Sequence, residues 1–166
     1  MLLHTGYLKN TGQTNNLSGA CFGIGGQLTF TPRDHFRLGV EGYTSNISYK
    51  AQDGYFKLGW GGLLLGYQLG HKRIHAVISF TLGGGKVNDM QFIEVSANDN
   101  VIDRVLYRKY AVMLASPSLS AEYSLKSKLI LVMKLDYLMP LFSSYNAYYA
   151  YGPRLYLGVL FNRQAD

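Results

Sequence analysis

Three side chains in this chain have the types from which a hydrolytic centre is assembled: His75, Ser120 and Glu122. Such chemistry needs the serine, a base and an orienting acid within hydrogen-bond reach of one another. The alternation described below puts all three on the inward phase of neighbouring strands, near the rim that carries the short turns. An enzyme acting on surface lipid needs its groups at the opposite rim and open to that lipid, so the expected role of the trio is a structural hydrogen-bond network. His71 and His75 share a strand face, but four residues of strand separate them by about 13 Å, too far for one metal ion. Cys21 is the only cysteine, which excludes an intramolecular disulfide and a cysteine-based zinc site. Leu82-Gly83-Gly84-Gly85-Lys86-Val87 lacks the Ser or Thr that a phosphate loop places after its lysine. Gly23-x-Gly25-Gly26 lies inside a strand and opens no helix, so its glycines are expected to make room for large side chains of adjacent strands. No catalytic, cofactor-binding or metal-binding residue is expected, and the chain reads as not an enzyme.

The elements that position these residues alternate with a period of two. From Ser18 to Phe30 one phase reads Ala20, Phe22, Ile24, Gly26, Leu28, Phe30 and the other Gly19, Cys21, Gly23, Gly25, Gln27, Thr29. Segments beginning at His35, Ile74, Ala111, Lys128 and Arg154 repeat the separation, with apolar sets such as Leu129, Leu131, Met133, Leu135, Tyr137 opposed by Ile130, Val132, Lys134, Asp136. Tyr55 to Leu69 breaks it: Leu63, Leu65, Tyr67 and Leu69 share one phase, Phe56, Leu58 and Trp60 the other. A bulge among Gly59 to Gly62 is the expected reconciliation. Met1 to Lys9 supplies an eighth strand.

Connections alternate too. Thr31 to Asp34, Gly70 to Lys72 and Leu125 to Ser127 are short, whereas Asn10 to Asn16, Ser45 to Gly54, Gly83 to about Arg104 and Pro140 to Gly152 are long and polar. Phe30, Phe36, Tyr67, Tyr123 and Phe161 fall on the apolar phase at the short-turn end, one per strand, as a girdle at a lipid boundary requires. Charged residues make up 16% of the chain, well under the roughly 25% usual in soluble domains. The polar phase carries Arg37, Glu41, Lys134, Asp136, Arg154 and Tyr156, so the apolar phase has to meet lipid or a second sheet, and no strands remain to build one. A net charge of +6 raises nucleic acid as a partner, but the basic residues stand singly, without a patch interleaved with aromatics, and nucleic-acid binding is not expected. An apolar run such as Leu129 to Met133 is far short of the ~18 residues of a spanning helix.

In this pattern the chain resembles the small outer-membrane barrel proteins of Gram-negative bacteria, of the OmpA or OmpX type. The resemblance is architectural and covers nearly the whole chain. Leu155-x-Leu157-x-Val159-x-Phe161 resembles the terminal aromatic signal read by the barrel-assembly machinery, although Asn162 to Asp166 follow it here. The expected fold is all-β: residues 1–166 as one eight-stranded antiparallel up-and-down transmembrane β-barrel, with short periplasmic turns and longer outer loops. The resemblance implies location in the cell outer membrane, with membrane lipid and the assembly machinery as partners and no cofactor. Met1-Leu2-Leu3 runs directly into His4 and Thr5 without a basic start or long apolar core, so a secretion signal is expected to have been removed or truncated.

Three functions fit this pattern. The first is a non-enzymatic barrel with a side-chain-filled lumen, in a structural or surface-interaction role, its outer loops meeting a protein partner. The second is a soluble lipocalin-like ligand-binding barrel, which needs an apolar cavity. The third is an outer-membrane lipid-modifying enzyme. For the first, a hairpin register opposing Met139 and Pro153 puts Asp136 opposite Tyr156 and diagonal to Arg154, with Lys134 bridging to a neighbouring strand. Leu131→Arg is expected to block assembly, and Val132→Arg to be better tolerated.

Overall fold

The computed structural model describes residues 1–11, 17–33, 35–48, 55–70, 73–97, 100–126, 128–141 and 149–161. Eight strands form in chain order: β1 Leu2–Thr11, β2 Leu17–Arg33, β3 Phe36–Ser48, β4 Tyr55–Leu69, β5 Ile74–Ala97, β6 Asn100–Lys126, β7 Leu129–Pro140 and β8 Tyr149–Phe161. Each pairs antiparallel with its sequence neighbours, and β1 closes on β8, so no edge is left along the barrel wall. Lys134 pairs directly with Ser120 of β6, yet the path the other way, through Tyr156, His4, Gly23, Ser45, Leu58 and Val87, arrives at Tyr110 of the same strand. That offset inclines the strands to the barrel axis, within the usual range of about 35–45°.

Large apolar side chains stand exposed on the outside of all eight strands, from Leu3 and Phe22 through Leu63, Phe80 and Leu119 to Leu135 and Leu157. A soluble monomer rarely exposes a contiguous apolar patch above a few hundred Å². Here the apolar surface encircles the molecule, and β7 shows the rule most plainly, its residues alternating exposed and buried from Leu131 to Leu138.

β4 contains no bulge, contrary to the expectation from its sequence. Its register runs unbroken from Tyr55 to Tyr67 against β3 and from Tyr55 to Leu69 against β5. Phe56, Leu58, Trp60 and Leu64 therefore point into the barrel in one continuous phase. Of these, Phe56, Leu58 and Trp60, with Leu8, Val87, Val112, Leu114 and Leu138, fill the lumen toward the long-link rim, whereas Leu64, opposite Gly39 and Thr81, lies nearer the short-turn rim. The lumen is thus not polar throughout: an apolar plug caps a charged middle.

The segment from Gly83 to Arg104 is not a loop. β5 and β6 continue as one hairpin paired from Ile74 and Tyr123 to Ala97 and Asn100. β4 accompanies β5 only to Met90, and β7 accompanies β6 only from Leu114 downward. Beyond Met90 the hairpin stands clear of both flanking strands, extending about 23 Å at ~3.3 Å per residue. Elsewhere, β3 reaches Ser48 and β8 begins at Tyr149, so strand also replaces parts of the other long links. Of the tyrosines in the Pro140 to Gly152 link whose type suits a recognition surface, Tyr145 and Tyr148 lie outside the described residues, whereas Tyr149 and Tyr151 belong to β8.

The inward glycines of β2 do make room, as their sequence context implies. A Cβ on Gly23 would strike the Thr44 carbonyl and the His4 ring, and one on Gly25 would strike Tyr43. At Gly26, on the outward phase, a Cβ meets nothing within 4 Å. We expect Gly23→Leu to destabilise the barrel by at least about 1–3 kcal/mol, the usual cost of overpacking. Gly26→Leu should leave it unchanged or better ordered, because an exposed strand position gains from losing glycine. Paired urea-unfolding curves in lipid vesicles check the contrast, and equal losses would place the two residues wrongly.

Candidate functional site

The chemistry-bearing side chains converge inside the barrel. β3 supplies Arg37, Glu41 and Tyr43, β7 Lys134 and Asp136, β8 Arg154 and Tyr156, each projecting inward because strand residues two apart share a face. Asp136 and Arg154 are directly opposite in the register, as are Lys134 and Tyr156. The expected register was therefore two residues off: Pro153 opposes Tyr137, not Met139. Asp136 nevertheless accepts from both anticipated partners, at 3.0 Å from Arg154 Nε, 2.6 Å from Arg154 Nη2 and 2.9 Å from Tyr156 Oη. Ser116 Oγ donates to the same carboxylate at 2.8 Å.

Lys134 bridges across the lumen to β3 rather than to a neighbouring strand. Its Nζ donates to Glu41 Oε2 at 2.5 Å. Glu41 also accepts from Tyr43 Oη at 3.0 Å and from Thr81 Oγ1 at 2.6 Å. Glu41 is 4% exposed and Lys134 2% exposed, and burying such groups is costly unless they are paired, as these are with each other, Glu41 accepting the two further hydrogen bonds as well. Aromatic rings cover the cations: Arg154 lies over Trp60 at 4.9 Å, and Lys134 lies 5.4 Å from the centroids of both Tyr43 and Tyr156. His4 Nε2 shares a 2.8 Å hydrogen bond with Ser45 Oγ, and its ring packs against Tyr43 and Tyr156.

Toward the short-turn rim, Arg37 forms a two-pronged pair with Glu122 and donates to Gln68 Oε1 at 2.7 Å. This disposes of the hydrolytic trio. His75 and Glu122 are opposite in the register, but both Glu122 oxygens are engaged by Arg37, and Ser120 Oγ points to the Val77 carbonyl at 3.5 Å. A serine without a base beside it has no activated nucleophile. Among the described residues, no group of three or more His, Cys, Asp or Glu is placed to hold a metal.

Sequence reasoning did not anticipate Trp60, Ser116 and Thr81 as partners of the ions, nor Gln68 beside Arg37. The inward phase of Ser116, Thr81 and Gln68 was readable and that of Trp60 was not, and which side chains meet across a lumen depends on strand tilt. Phe30, Phe36, Tyr67, Tyr123 and Phe161 are all exposed on the outer face near the short-turn rim, and Phe36 packs edge-on against Tyr67 at 5.5 Å.

A filled lumen has an electrical consequence. Eight strands enclose room for side chains and little else, and here that room holds three ion pairs under an apolar plug. In planar-bilayer recordings the purified protein is expected to give no steady unitary conductance. Reproducible single-sized steps would contradict a closed lumen.

Neither a protein-family model nor a curated protein sequence matches the chain. Solved structures do. Neisserial surface protein A superposes with a TM-score of 0.56 at 14% identity, covering 95% of this chain and 92% of its own. Ail, the attachment invasion locus protein of Yersinia pestis, solved with the heparin analogue sucrose octasulfate, superposes with a TM-score of 0.50 at 10% identity, over 96% and 95% of the two chains. Such identities speak to fold, and the fold they show is that of the small eight-stranded β-barrels of bacterial outer membranes.

Proposed function

We propose that this protein is an integral outer-membrane barrel with no enzymatic activity, whose short turns face the periplasm and whose long-link side, led by the β5–β6 hairpin, meets a partner at the cell surface. The observation that carries the reading is the inverted distribution of polarity: ion pairs buried in the middle of the lumen and an unbroken apolar belt outside. Water offers that belt no stable contact, whereas a bilayer core does, and a closed barrel satisfies the backbone there. A lipocalin-like role requires an apolar cavity opening at the lumen, and the lumen middle is occupied by charge-paired side chains. The aromatics near the short-turn rim suit the periplasmic boundary between lipid and water.

The test is to express the chain behind a secretion signal, fractionate the envelope and compare gel mobility with and without boiling. Recovery in the outer membrane with heat-modifiable mobility, surface labelling of the hairpin and no turnover of added lipid is the expected result. A soluble periplasmic product would overturn the membrane assignment. Lipid hydrolysis would overturn the non-enzymatic one.

A further inference from the structure

The outward faces of β4, β5 and β6 carry three exposed lysines, Lys57, Lys86 and Lys109. Lys57 and Lys109 both oppose Asn88 in the register, and Lys86, two residues from Asn88, is diagonal to each. Diagonal neighbours on one sheet face lie roughly 7–8 Å apart, within reach of one another for long side chains. Lys109 Nζ lies over the Tyr107 ring at 4.8 Å. Every carboxylate of known side-chain position, Glu41, Asp89, Glu122 and Asp136, is buried in the lumen. Among the described residues, the three lysines have no ion-pair partner. Among the described residues, Lys9, the other outward lysine toward this rim, stands apart on β1.

Their height matters as much as their charge. Lys86 lies four residues beyond Leu82, and Lys109 four beyond Met113, both exposed members of the apolar belt. On inclined strands that is about 10 Å toward the long-link rim. Charge at mid-depth costs ~2–4 kcal/mol but little at the interface, where a lysine stem can lie along lipid and lift its ammonium to the headgroups. Three ammonium groups at that level, without an ion-pair partner among the described residues, repel one another, and an anion bearing more than one charge relieves the repulsion.

We propose that Lys57, Lys86 and Lys109 form a binding site for a multiply phosphorylated lipid headgroup of the outer leaflet. The inference rests on the membrane placement given above. The aliphatic stems and the belt below them take the acyl chains, and the three ammonium groups engage the phosphates.

The probe is bis-phosphorylated lipid A, compared with the same lipid stripped of phosphate, offered to the folded protein in nanodiscs of neutral phospholipid and read by native mass spectrometry. Heat-modifiable mobility of each preparation is checked first, so that failure to insert counts against the membrane reading and not against this site. The wild type should retain the phosphorylated lipid selectively. The Lys57→Ala, Lys86→Ala, Lys109→Ala triple variant should bind it more weakly, on the order of 10- to 100-fold. The corresponding triple arginine variant should restore binding, and Arg73→Ala with Lys128→Ala at the other rim should leave it unchanged. Equal retention by the triple alanine variant, or of the phosphate-free lipid, would overturn the proposal. So would lysine-dependent capture of a soluble sulfated oligosaccharide without lipid preference, which would assign the patch to an extracellular polyanion.

Discussion

Asp136→Leu is expected to lower the stability of the folded barrel by about 3–5 kcal/mol, the usual effect of removing one partner from a buried ion pair. Arg154 is 0% exposed and loses both its bonds to that carboxylate, while Tyr156 and Ser116 lose their acceptor. The guanidinium cannot shed its proton to escape, and the Trp60 ring beside it offers only partial compensation. Removing both charges, in the Asp136→Leu, Arg154→Leu double variant, should recover much of the loss, because an apolar pair of similar volume does not carry the desolvation cost. Recovery will be incomplete, since Arg154 also packs by its stem and its plane. Urea-unfolding midpoints in lipid vesicles, followed by the mobility shift, measure both variants. A single variant as stable as wild type would mean that the ion pair is not what organises the lumen.

The second large effect concerns the outer face. Leu135 stands 53% exposed between Leu119 and Leu155 of the adjacent strands, in the middle of the apolar belt. Leu135→Arg should cost ~2–4 kcal/mol of folding free energy in a bilayer. Leu131 pairs with the girdle residue Tyr123, closer to the short-turn interface, and Leu131→Arg should cost only about 0–1 kcal/mol. The structure thus revises the sequence-level expectation of a block at Leu131. It also removes Val132→Arg as a tolerant control, because Val132 is 0% exposed in a packed part of the lumen and a longer side chain has nowhere to go. Folding equilibria of the two outward variants in vesicles should differ, and a flat response with depth would argue against a lipid-facing belt.

How much of this was legible beforehand depended on whether one phase of a strand was plainly polar. Along β7 the contrast of Lys134 and Asp136 with Leu131, Met133 and Leu135 fixed both facing and fold class, and the alternation of short and long connections fixed the topology. β4 was misread because Leu63, Leu64 and Leu65 are apolar on both phases, and nothing local says that Phe56, Leu58 and Trp60 continue the phase of Leu64. Only the unbroken pairing to β3 and β5 decides it. The β5–β6 hairpin was misread for a different reason. Its glycines and its Asn-Asp clusters resemble loop, yet Phe92, Ile93 and Val95 and, across from them, Val101, Ile102 and Val105 are strand formers, and mutual pairing outweighs the turn signals. The two-residue error between β7 and β8 arose because parity sets which side chains point inward but not which rung they occupy. Asp136 reached Arg154 and Tyr156 under either register because the side chains are long.

The central claim, that the outward face of this barrel lies in lipid, is tested most directly by spin labels placed on it without disturbing the lumen. Single cysteines at Leu63, Leu119 and Leu135, in a Cys21→Ala background and refolded into vesicles, are read by collision with oxygen, which concentrates in lipid, and with a nickel chelate, which stays in water. A label at Lys128, exposed beside a short turn, is the aqueous reference. The account predicts high oxygen and negligible nickel accessibility at all three belt positions, and the reverse at Lys128. Nickel accessibility at the belt positions equal to that at Lys128 would contradict it.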